Sequence, residues 1–179
     1  MTWYVVLVAV VSLERLAELV ISNRHLRWSL DHGGREFGAG HYPAMVVLHS
    51  ALLAGCLLEV AVADRPFVGV LGWPMLAVVA ASEGLRWWCI GTLGRQWNTR
   101  VVVVPGAGLV ATGPYRWLRH PNYVAVVAEG AALPLVHSAW WTAVVFTVLD
   151  AALLTVRIRT EDRALSLAEL REQSAWTAS

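Results

Sequence analysis

The sequence predicts an all-α integral membrane protein with about five transmembrane helices, built as one domain over residues 1–179. Two observations carry this prediction. Hydrophobic residues make up 57% of the chain and charged residues only 15%, whereas a soluble domain is nearer half apolar and a quarter charged. The apolar residues also collect into stretches near residues 2–21, 43–62, 67–90, 122–137 and 139–156. The alternative is a buried helix bundle of a soluble protein, which accounts less well for so few charges.

The five stretches differ in length. A spanning helix needs about 20 apolar residues, and the first three stretches reach that length. The last two are shorter and are separated only by His137 and Ser138, so we expect a tight helical hairpin there. Pro43 and Pro121 stand where the second and fourth helices would begin, a position where the missing N–H of proline is harmless.

Arginine placement predicts how the chain is oriented. All fourteen basic residues are arginine, and eleven of them lie within residues 22–42, 91–121 and 157–171. Because loops rich in basic residues stay on the cytoplasmic side, we expect the N-terminus outside and the C-terminus in the cytoplasm. No nucleic-acid partner is expected, since these arginines lie between spans and not on one basic domain face.

Two loops have a distinct composition. Residues 30–42 hold four glycines and no apolar run, which fits either an ordinary connector or a flexible cover over a site. Residues 100–105 are rich in valine, too short to span a bilayer, and followed by Gly106 and Gly108. This second pattern predicts an extended or re-entrant piece that ends in a turn.

Several charged residues fall inside or near the predicted spans. They are Glu14, Arg15, Glu18, Glu59, Glu83, Arg86, Glu129 and Asp150. Each would be unfavourable by several kcal/mol against lipid, so we expect them to face the bundle interior, paired or neutral. Glu129 lies about two turns beyond the start of the fourth helix, and of this group it is predicted to point toward a ligand.

A polar and aromatic block, Gly-Pro-Tyr-Arg-Trp-Leu-Arg-His-Pro-Asn-Tyr, occupies residues 113–123. His120 is suited to binding or moving a proton near neutral pH. A helix that starts at Pro121 would direct free N–H groups at a neighbouring ligand, and Arg116 and Arg119 can bind carboxylates. The block therefore fits an anionic or zwitterionic ligand with a flat ring. The alternative is an interfacial anchor of tryptophan, tyrosine and arginine side chains.

A second charged cluster follows about thirty residues later. Arg157 and Glu161 are four residues apart, which places them on one helix face, and Asp162 is adjacent. The hairpin formed by the last two stretches would return the chain to the same membrane side, so the two clusters are expected to face each other. By itself, this cluster also fits a solvated helix end with an intrahelical ion pair.

Both clusters resemble signatures of one family. Residues 113–123 resemble the first signature of the isoprenylcysteine carboxyl methyltransferase family, and residues 157–165 resemble its second, Arg-x-x-x-Glu-Glu-x-x-Leu, with Asp162 in place of the second Glu. Residues 14–15, 22–24, 34–38 and 41–43 are similar to a bacterial branch of that family. Some members of this branch lie beside type III polyketide synthases and methylate alkylpyrones or alkylresorcinols on oxygen.

The resemblance implies methyl transfer from S-adenosylmethionine to an oxygen of a lipophilic acceptor, within a bacterial inner or plasma membrane. It assigns residues 91–179 to cofactor binding and catalysis and residues 1–90 to a three-helix N-terminal part. The implied cofactor pocket lies on the cytoplasmic side. Its predicted residues are Tyr115, Arg119, His120, Pro121, Asn122, Tyr123 and Glu129. The predicted catalytic residues are Arg157, Glu161 and Asp162, and no metal site is expected.

The acceptor decides what the site must do. A carboxylate acceptor needs only to be positioned, whereas a hydroxyl must also lose a proton. We expect Arg157 to orient the acceptor oxygen and Glu161, Asp162 or His120 to take that proton. The partners expected are the lipid bilayer and the acceptor; the identity of the acceptor and the oligomeric state stay open. The alternatives are a phospholipid or amine N-methyltransferase and a lipid-binding or transport protein without chemistry.

Overall fold

The computed structural model describes the backbone of residues 1–177 and the side chains of residues 1–167. The longer elements are α1 (Thr2–Asp31), β1 (Arg35–Phe37), α2 (Tyr42–Val62), α3 (Gly69–Leu93), β2 (Val101–Val103), α4 (Pro121–Leu135) and α5 (Trp140–Thr177). Short 3-10 turns lie at Ala39–His41, Gly94–Gln96 and Gly113–Arg116. The mostly helical fold expected from the composition is confirmed.

Two helices extend well beyond their apolar stretches. The first stretch predicts a helix over residues 2–21, but α1 continues to Asp31. The polar residues 22–31 contain neither proline nor glycine, so nothing stops the helix before Gly33, which has a positive φ of 79°. Likewise, α5 runs past residue 156 to Thr177, which places the whole second cluster on one continuous helix.

A small sheet corrects the all-α prediction. Residues of β1, within the glycine-rich loop, pair antiparallel with β2, and Glu36 lies opposite Val102. The Arg100 guanidinium donates to the Glu36 carboxylate at 2.9 Å, which fixes the two segments to each other. The extended conformation expected for residues 100–105 is therefore present at β2. Its partner strand lies in the glycine-rich loop 30–42, for which the sequence fitted either a connector or a cover over a site.

Two helical segments are long and apolar enough to cross a membrane, within the residues that the structure describes. They are Ala39–Val62, with a mean hydropathy of 2.1, and Trp140–Leu167, with a mean hydropathy of 1.7. Only 17% and 28% of their apolar windows are buried inside the protein. The core helix of a soluble protein would be mostly buried, so these exposed apolar faces favour contact with lipid.

The buried core joins all five long helices. Tyr4, Val8 and Val11 of α1 pack with Leu52 and Cys56 of α2, together with residues of α3, α4 and α5. The fully buried Tyr4 hydroxyl donates to the Leu133 carbonyl oxygen at 3.0 Å.

A glycine lets α4 and α5 approach closely. A Cβ added to Gly130 would lie 2.0 Å from Cε1 of Phe146. Any larger residue at this position would therefore separate the two helices that carry the polar clusters.

Five charged residues form an ion-pair cluster between α1, α3 and α4. Arg15 binds Glu18 at 2.7 Å and Glu129 at 2.8 Å, and it also contacts Glu83. Arg86 contacts Glu129 and lies 3.4 Å from Glu18. The expectation that charges in the spans pair inside the bundle is confirmed for these five residues. Asp150 is also buried, yet neither of its carboxylate oxygens has a hydrogen-bond partner among the described residues.

Candidate active site

Tyr123, in the first turn of α4, joins the two polar clusters. Its hydroxyl donates to the Glu161 carboxylate and accepts a hydrogen bond from Nε of Arg157 at 2.7 Å. A second guanidinium nitrogen of Arg157 donates to the Thr99 carbonyl oxygen at 2.5 Å. Arg157 is itself buried, and hydrogen bonds to charged groups are the stronger kind. The side chains of α4 and α5 are thus held together as expected from the hairpin.

His120 and Asp162 lie beside this junction. The His120 ring stacks on Tyr123 with 5.4 Å between ring centroids. Its Nε2 is 3.4 Å from Oδ1 of Asp162, and its Nδ1 is 3.9 Å from Oε1 of Glu161. Asp162, which replaces the usual glutamate, therefore faces the histidine of the first cluster. It is also 3.9 Å from the exposed Arg119 guanidinium.

The larger of two neighbouring cavities has a volume of about 300 Å³. It lies between α1, α2, α4 and the Arg157 side chain, and its wall is mostly apolar. Its lining includes Leu16, Leu19, Met45, Val46, Leu53 and Val126. Leu16 and Val46 line this cavity and are also exposed on the outer surface of α1 and α2, so the cavity opens sideways between these two helices.

The smaller cavity, of about 100 Å³, lies on the side of the small sheet. Six of the residues predicted for the site line it, namely Tyr115, His120, Asn122, Tyr123, Arg157 and Glu161. Residues Val101–Val103 of β2 form another part of its wall. Strand β2 therefore covers the predicted cofactor residues, and the glycine-rich loop holds that strand in place.

Four residues line both cavities. They are Trp97, Asn122, Tyr123 and Arg157. A ligand in the smaller cavity and a ligand in the larger one would therefore meet across this shared wall. That arrangement suits the transfer of a group between two bound molecules, because both reactants are held with fixed orientation.

Four of the predicted site residues line neither of these cavities. Arg119 is mostly exposed, Pro121 is buried in the first turn of α4, and Asp162 lies behind His120. Glu129 belongs to the ion-pair cluster, where Arg15 and Arg86 hold its carboxylate. Its predicted role in cofactor binding stays a prediction, and any such role would act through those arginines.

Sequence reasoning missed several residues of the cavity walls. Trp97 and Thr99 lie after α3, and Met45 and His49 lie on α2. The polar run 96–100 within an otherwise apolar chain was a usable signal for the first two. Nothing in the sequence marked Met45 as a cavity residue, because a methionine in an apolar helix fits equally well against lipid or in the hydrophobic core. His49 was visible as a histidine in a span.

Unsatisfied buried atoms test whether a polar cofactor fits this site. Trp97 Nε1 and Asn122 Oδ1 are buried without a hydrogen-bond partner among the described residues, and His120 Nε2, which also lacks one, faces Oδ1 of Asp162 at 3.4 Å. Buried polar atoms are normally paired, so a ligand with both donors and acceptors fits these residues. At about 100 Å³, the smaller cavity is below the roughly 300 Å³ of ordinary ligand pockets. A nucleoside-sized ligand would therefore have to widen it.

The Tyr115 hydroxyl serves this wall as a neutral group. Burial, and then the neighbouring Cys89 thiol, raises the pKa of Tyr115 well above its ordinary value. The hydroxyl therefore keeps its proton throughout the physiological range. Because it donates that proton to Cys89, its oxygen is left to accept a hydrogen bond from a ligand in the smaller cavity.

Comparison with known proteins gives the family to which this fold and these joined polar clusters belong. Residues 75–167 match the model of the isoprenylcysteine carboxyl methyltransferase (ICMT) family. The chain belongs to this family, and membership implies a membrane methyltransferase. The match begins inside α3 and includes every predicted cofactor and catalytic residue, whereas α1 and α2 lie outside it.

Two relatives match over most of their length. The uncharacterized protein YpbQ of Bacillus subtilis (strain 168) is 37% identical over 160 residues, which cover 89% of this chain and 94% of that protein. An uncharacterized protein of Haemophilus influenzae Rd is 24% identical over 155 residues, which cover 85% and 88%. The family resemblance stated from the two signatures is confirmed, and its narrower polyketide-associated branch stays a prediction.

Proposed function

We propose that the protein transfers a methyl group from S-adenosylmethionine to an oxygen of a lipophilic acceptor in the membrane. The observation that carries this proposal is the wall shared by the two cavities, where Tyr123 and Arg157 lie between a polar site and an apolar one. Family membership supports the reaction class. The proposal assigns the smaller cavity to the cofactor and the larger to the acceptor.

The residues of the smaller cavity would hold the cofactor by donors and acceptors they already present. Tyr115 offers a neutral hydroxyl, and Trp97, His120 and Asn122 offer the unsatisfied atoms described above. When bound, S-adenosylmethionine supplies an electrophilic methyl group carried on a sulfonium. Residues 101–103 of β2 would close over this site and exclude water from it.

The larger cavity would hold the acceptor. Its apolar wall suits a ring or prenyl group, and its opening between α1 and α2 would let an alkyl tail lie in the bilayer. An alkylpyrone or alkylresorcinol hydroxyl is the acceptor we favour, and the carboxylate of a prenylcysteine-like lipid is the other. A cationic amine fits less well, because the buried Arg157 guanidinium at the shared wall would repel it.

Arg157 would orient the acceptor oxygen. Its guanidinium is fixed by Tyr123 and by the Thr99 carbonyl, so its direction is set before the acceptor binds. Such preorganisation aligns the reacting atoms at little entropic expense on binding. Glu161 would act on the other side of Tyr123 by fixing that hydroxyl, and Asp162 would position His120.

We further propose that all five helices cross the bilayer, with the C-terminal end of α5 in the cytoplasm. Two of them satisfy the length and hydropathy criterion outright. The others pack against these two and share the buried ion-pair cluster. The arginine-rich segments, including the cofactor side of the site, would then face the cytoplasm.

Methyl transfer by purified protein tests the proposed function. The protein would be incubated in bilayers with methyl-labelled S-adenosylmethionine and lipid extract, and labelled products would be identified by mass spectrometry. Labelled product from the wild-type protein is expected. We expect Arg157→Ala to lower turnover at least about 100-fold, because misplaced reacting groups lose roughly that factor.

The control for this experiment is Arg159→Ala, which removes an exposed arginine two residues away on the same helix. It should leave turnover unchanged. Binding of S-adenosylhomocysteine, followed by calorimetry, would show that the Arg157 variant keeps its fold. Wild-type turnover by Arg157→Ala contradicts its assigned role, and no labelled product from the wild-type protein contradicts the function itself.

A further inference from the structure

His49 on α2 lines the larger cavity and has no role in the site described so far. It is half-buried and lies outside the ion-pair cluster. It also lies outside residues 75–167, the part that matches the family. A titratable side chain in the wall of an apolar cavity is a candidate for chemistry on whatever that cavity holds.

The tautomer of His49 follows from its contacts. Nδ1 is 2.9 Å from the Met45 carbonyl oxygen, and a carbonyl can only accept a hydrogen bond. Nδ1 therefore carries the proton, and in the neutral ring Nε2 has a free lone pair. Nε2 has no hydrogen-bond partner among the described residues and is not among their fully buried unsatisfied atoms. The edge of Phe146, with 5.3 Å between ring centroids, further fixes the ring.

The position of His49 relative to Arg157 is set by α2. Sδ of Met45 is 3.4 Å from a guanidinium nitrogen of Arg157. His49 lies four residues further along the same helix face, which places it one turn, or about 5 Å, deeper in the cavity. An acceptor bound in this cavity would therefore lie between the guanidinium and the imidazole.

The other charged or phenolic side chains of this cavity are less suited to take a proton. They are Arg15, Glu18, Tyr42, Arg86, Tyr123 and Arg157. The Glu18 carboxylate is held by two arginines. The Tyr123 hydroxyl already donates one hydrogen bond and accepts another, and the arginines stay protonated. A phenol with an ordinary pKa near 10 is a poor acceptor at neutral pH. Glu161 and His120, the bases expected from the sequence, line only the smaller cavity.

We propose that His49 is the general base that removes the proton from a hydroxyl acceptor. This rests on the proposed methyl transfer. The acceptor O–H proton passes to Nε2 of His49 as the oxygen forms its bond to the methyl carbon. The carbon–sulfur bond of the sulfonium breaks, and its electron pair stays on sulfur. The residue thereby selects a weakly acidic hydroxyl, such as that of an alkylresorcinol, since a carboxylate or the more acidic hydroxyl of an alkylpyrone would need no base.

Two acceptors that differ only in acidity test this role. The probes are 4-dodecylphenol and 4-dodecyl-2-nitrophenol, compared at a mildly alkaline pH at which the first is still protonated and the nitro group leaves the second largely ionised. His49→Gln should lower turnover of the phenol by about 100-fold or more, the range typical of a lost general base. It should leave turnover of the nitrophenol near the wild-type value, because that acceptor has already lost its proton.

A binding measurement complements turnover. The visible absorption of protein-bound nitrophenol reports its ionised fraction, and that fraction should be the same in His49→Gln and the wild-type protein, because this acceptor loses its proton without help from the base. The matched control is His32→Gln: His32 makes the same contact with the carbonyl four residues earlier, at 2.8 Å, but lies at the exposed end of α1 and lines neither cavity. It should match the wild-type protein in both measurements.

The outcomes separate this inference from the proposed function. Equal loss with both acceptors assigns His49 a structural role, and unchanged turnover of the phenol removes it from the reaction; either result overturns the inference alone. A wild-type protein that methylates the nitrophenol but not the phenol overturns it as well. A wild-type protein that methylates no hydroxyl or carboxylate acceptor overturns the proposed function.

Discussion

Tyr123 carries more of the site than its place in a sequence motif suggests. Its hydroxyl accepts from Arg157 and donates to Glu161, while its ring stacks on His120. This one side chain thus contacts Arg157, which lines both cavities, and also Glu161 and His120, which line the smaller one. The motif indicated a polar residue near a ligand, but the structure gives it a bridging position between two helices.

Removing this hydroxyl gives a prediction at the residue scale. Tyr123→Phe keeps the ring and its packing but leaves Arg157 Nε and the Glu161 carboxylate without their shared partner. A hydrogen bond to a charged group contributes about 1.5–3 kcal/mol, so turnover should fall about 10- to 100-fold. Steady-state kinetics with the identified acceptor would measure this.

Thr155→Ala is the control, since it removes an exposed hydroxyl that contacts only its own helix, at the Ala151 carbonyl. It should not change turnover. Full activity of Tyr123→Phe would mean that Arg157 is held in place by the Thr99 carbonyl alone.

At the scale of elements, the α4–α5 hairpin positions the two clusters. Its tight connection brings Tyr123 and Arg157 to one level although 34 residues separate them. Gly130 permits the close approach of the two helices, because a Cβ there would lie 2.0 Å from Cε1 of Phe146. The geometry of the site therefore depends on a glycine that never touches it.

Gly130→Ala should destabilise the protein by about 1–3 kcal/mol, the usual effect of overpacking. Thermal unfolding in detergent would measure the change. Adding Phe146→Leu should recover part of the loss, because the smaller side chain leaves room for the new methyl group.

Gly84→Ala is the matched control within a helix. A Cβ at Gly84 would meet nothing within 4 Å, so this variant should be neutral or more stable, as helix propensity favours alanine. Equal destabilisation by both variants would show that the contact with Phe146 is not the cause.

At the scale of the molecule, most of the charges within the helical bundle are buried and the exposed helix surface is largely apolar. The outer faces of the helices are apolar, and the five residues of the ion-pair cluster connect α1, α3 and α4 internally. The arginines outside that cluster lie mostly in the segments that flank the site. This distribution is the basis for the proposed orientation.

Cysteine labelling tests that orientation. With Cys56 and Cys89 replaced by alanine, Ala63→Cys should react with a membrane-impermeant maleimide in intact cells. Ala107→Cys should react only after the membrane is opened, because the arginine-rich side is expected in the cytoplasm. The reverse pattern would contradict the orientation, and labelling of both in intact cells would contradict the five crossings.

The sequence by itself determined the helices, the two polar clusters and the family. Each of these features depends on residues that are close together in the sequence. An apolar run of sufficient length forms a helix in a bilayer, and a motif can be recognised from the spacing of its own residues. The predicted lengths of α1 and α5 were too short, because they were taken from the apolar stretches. Each helix continues through the polar residues that follow its stretch, until a glycine or another break stops it.

Only the tertiary structure decided which residues face one another. Arg15 pairs with Glu83 and Glu129, which are 68 and 114 residues away. Trp97 enters the cavity walls from the segment after α3, whereas Met45 and His49 enter from α2. The pairing of β1 with β2 likewise joins two distant loops. Such contacts depend on how helices pack, and helix packing is set by side-chain shape at many positions together. No local pattern in the chain contains that information.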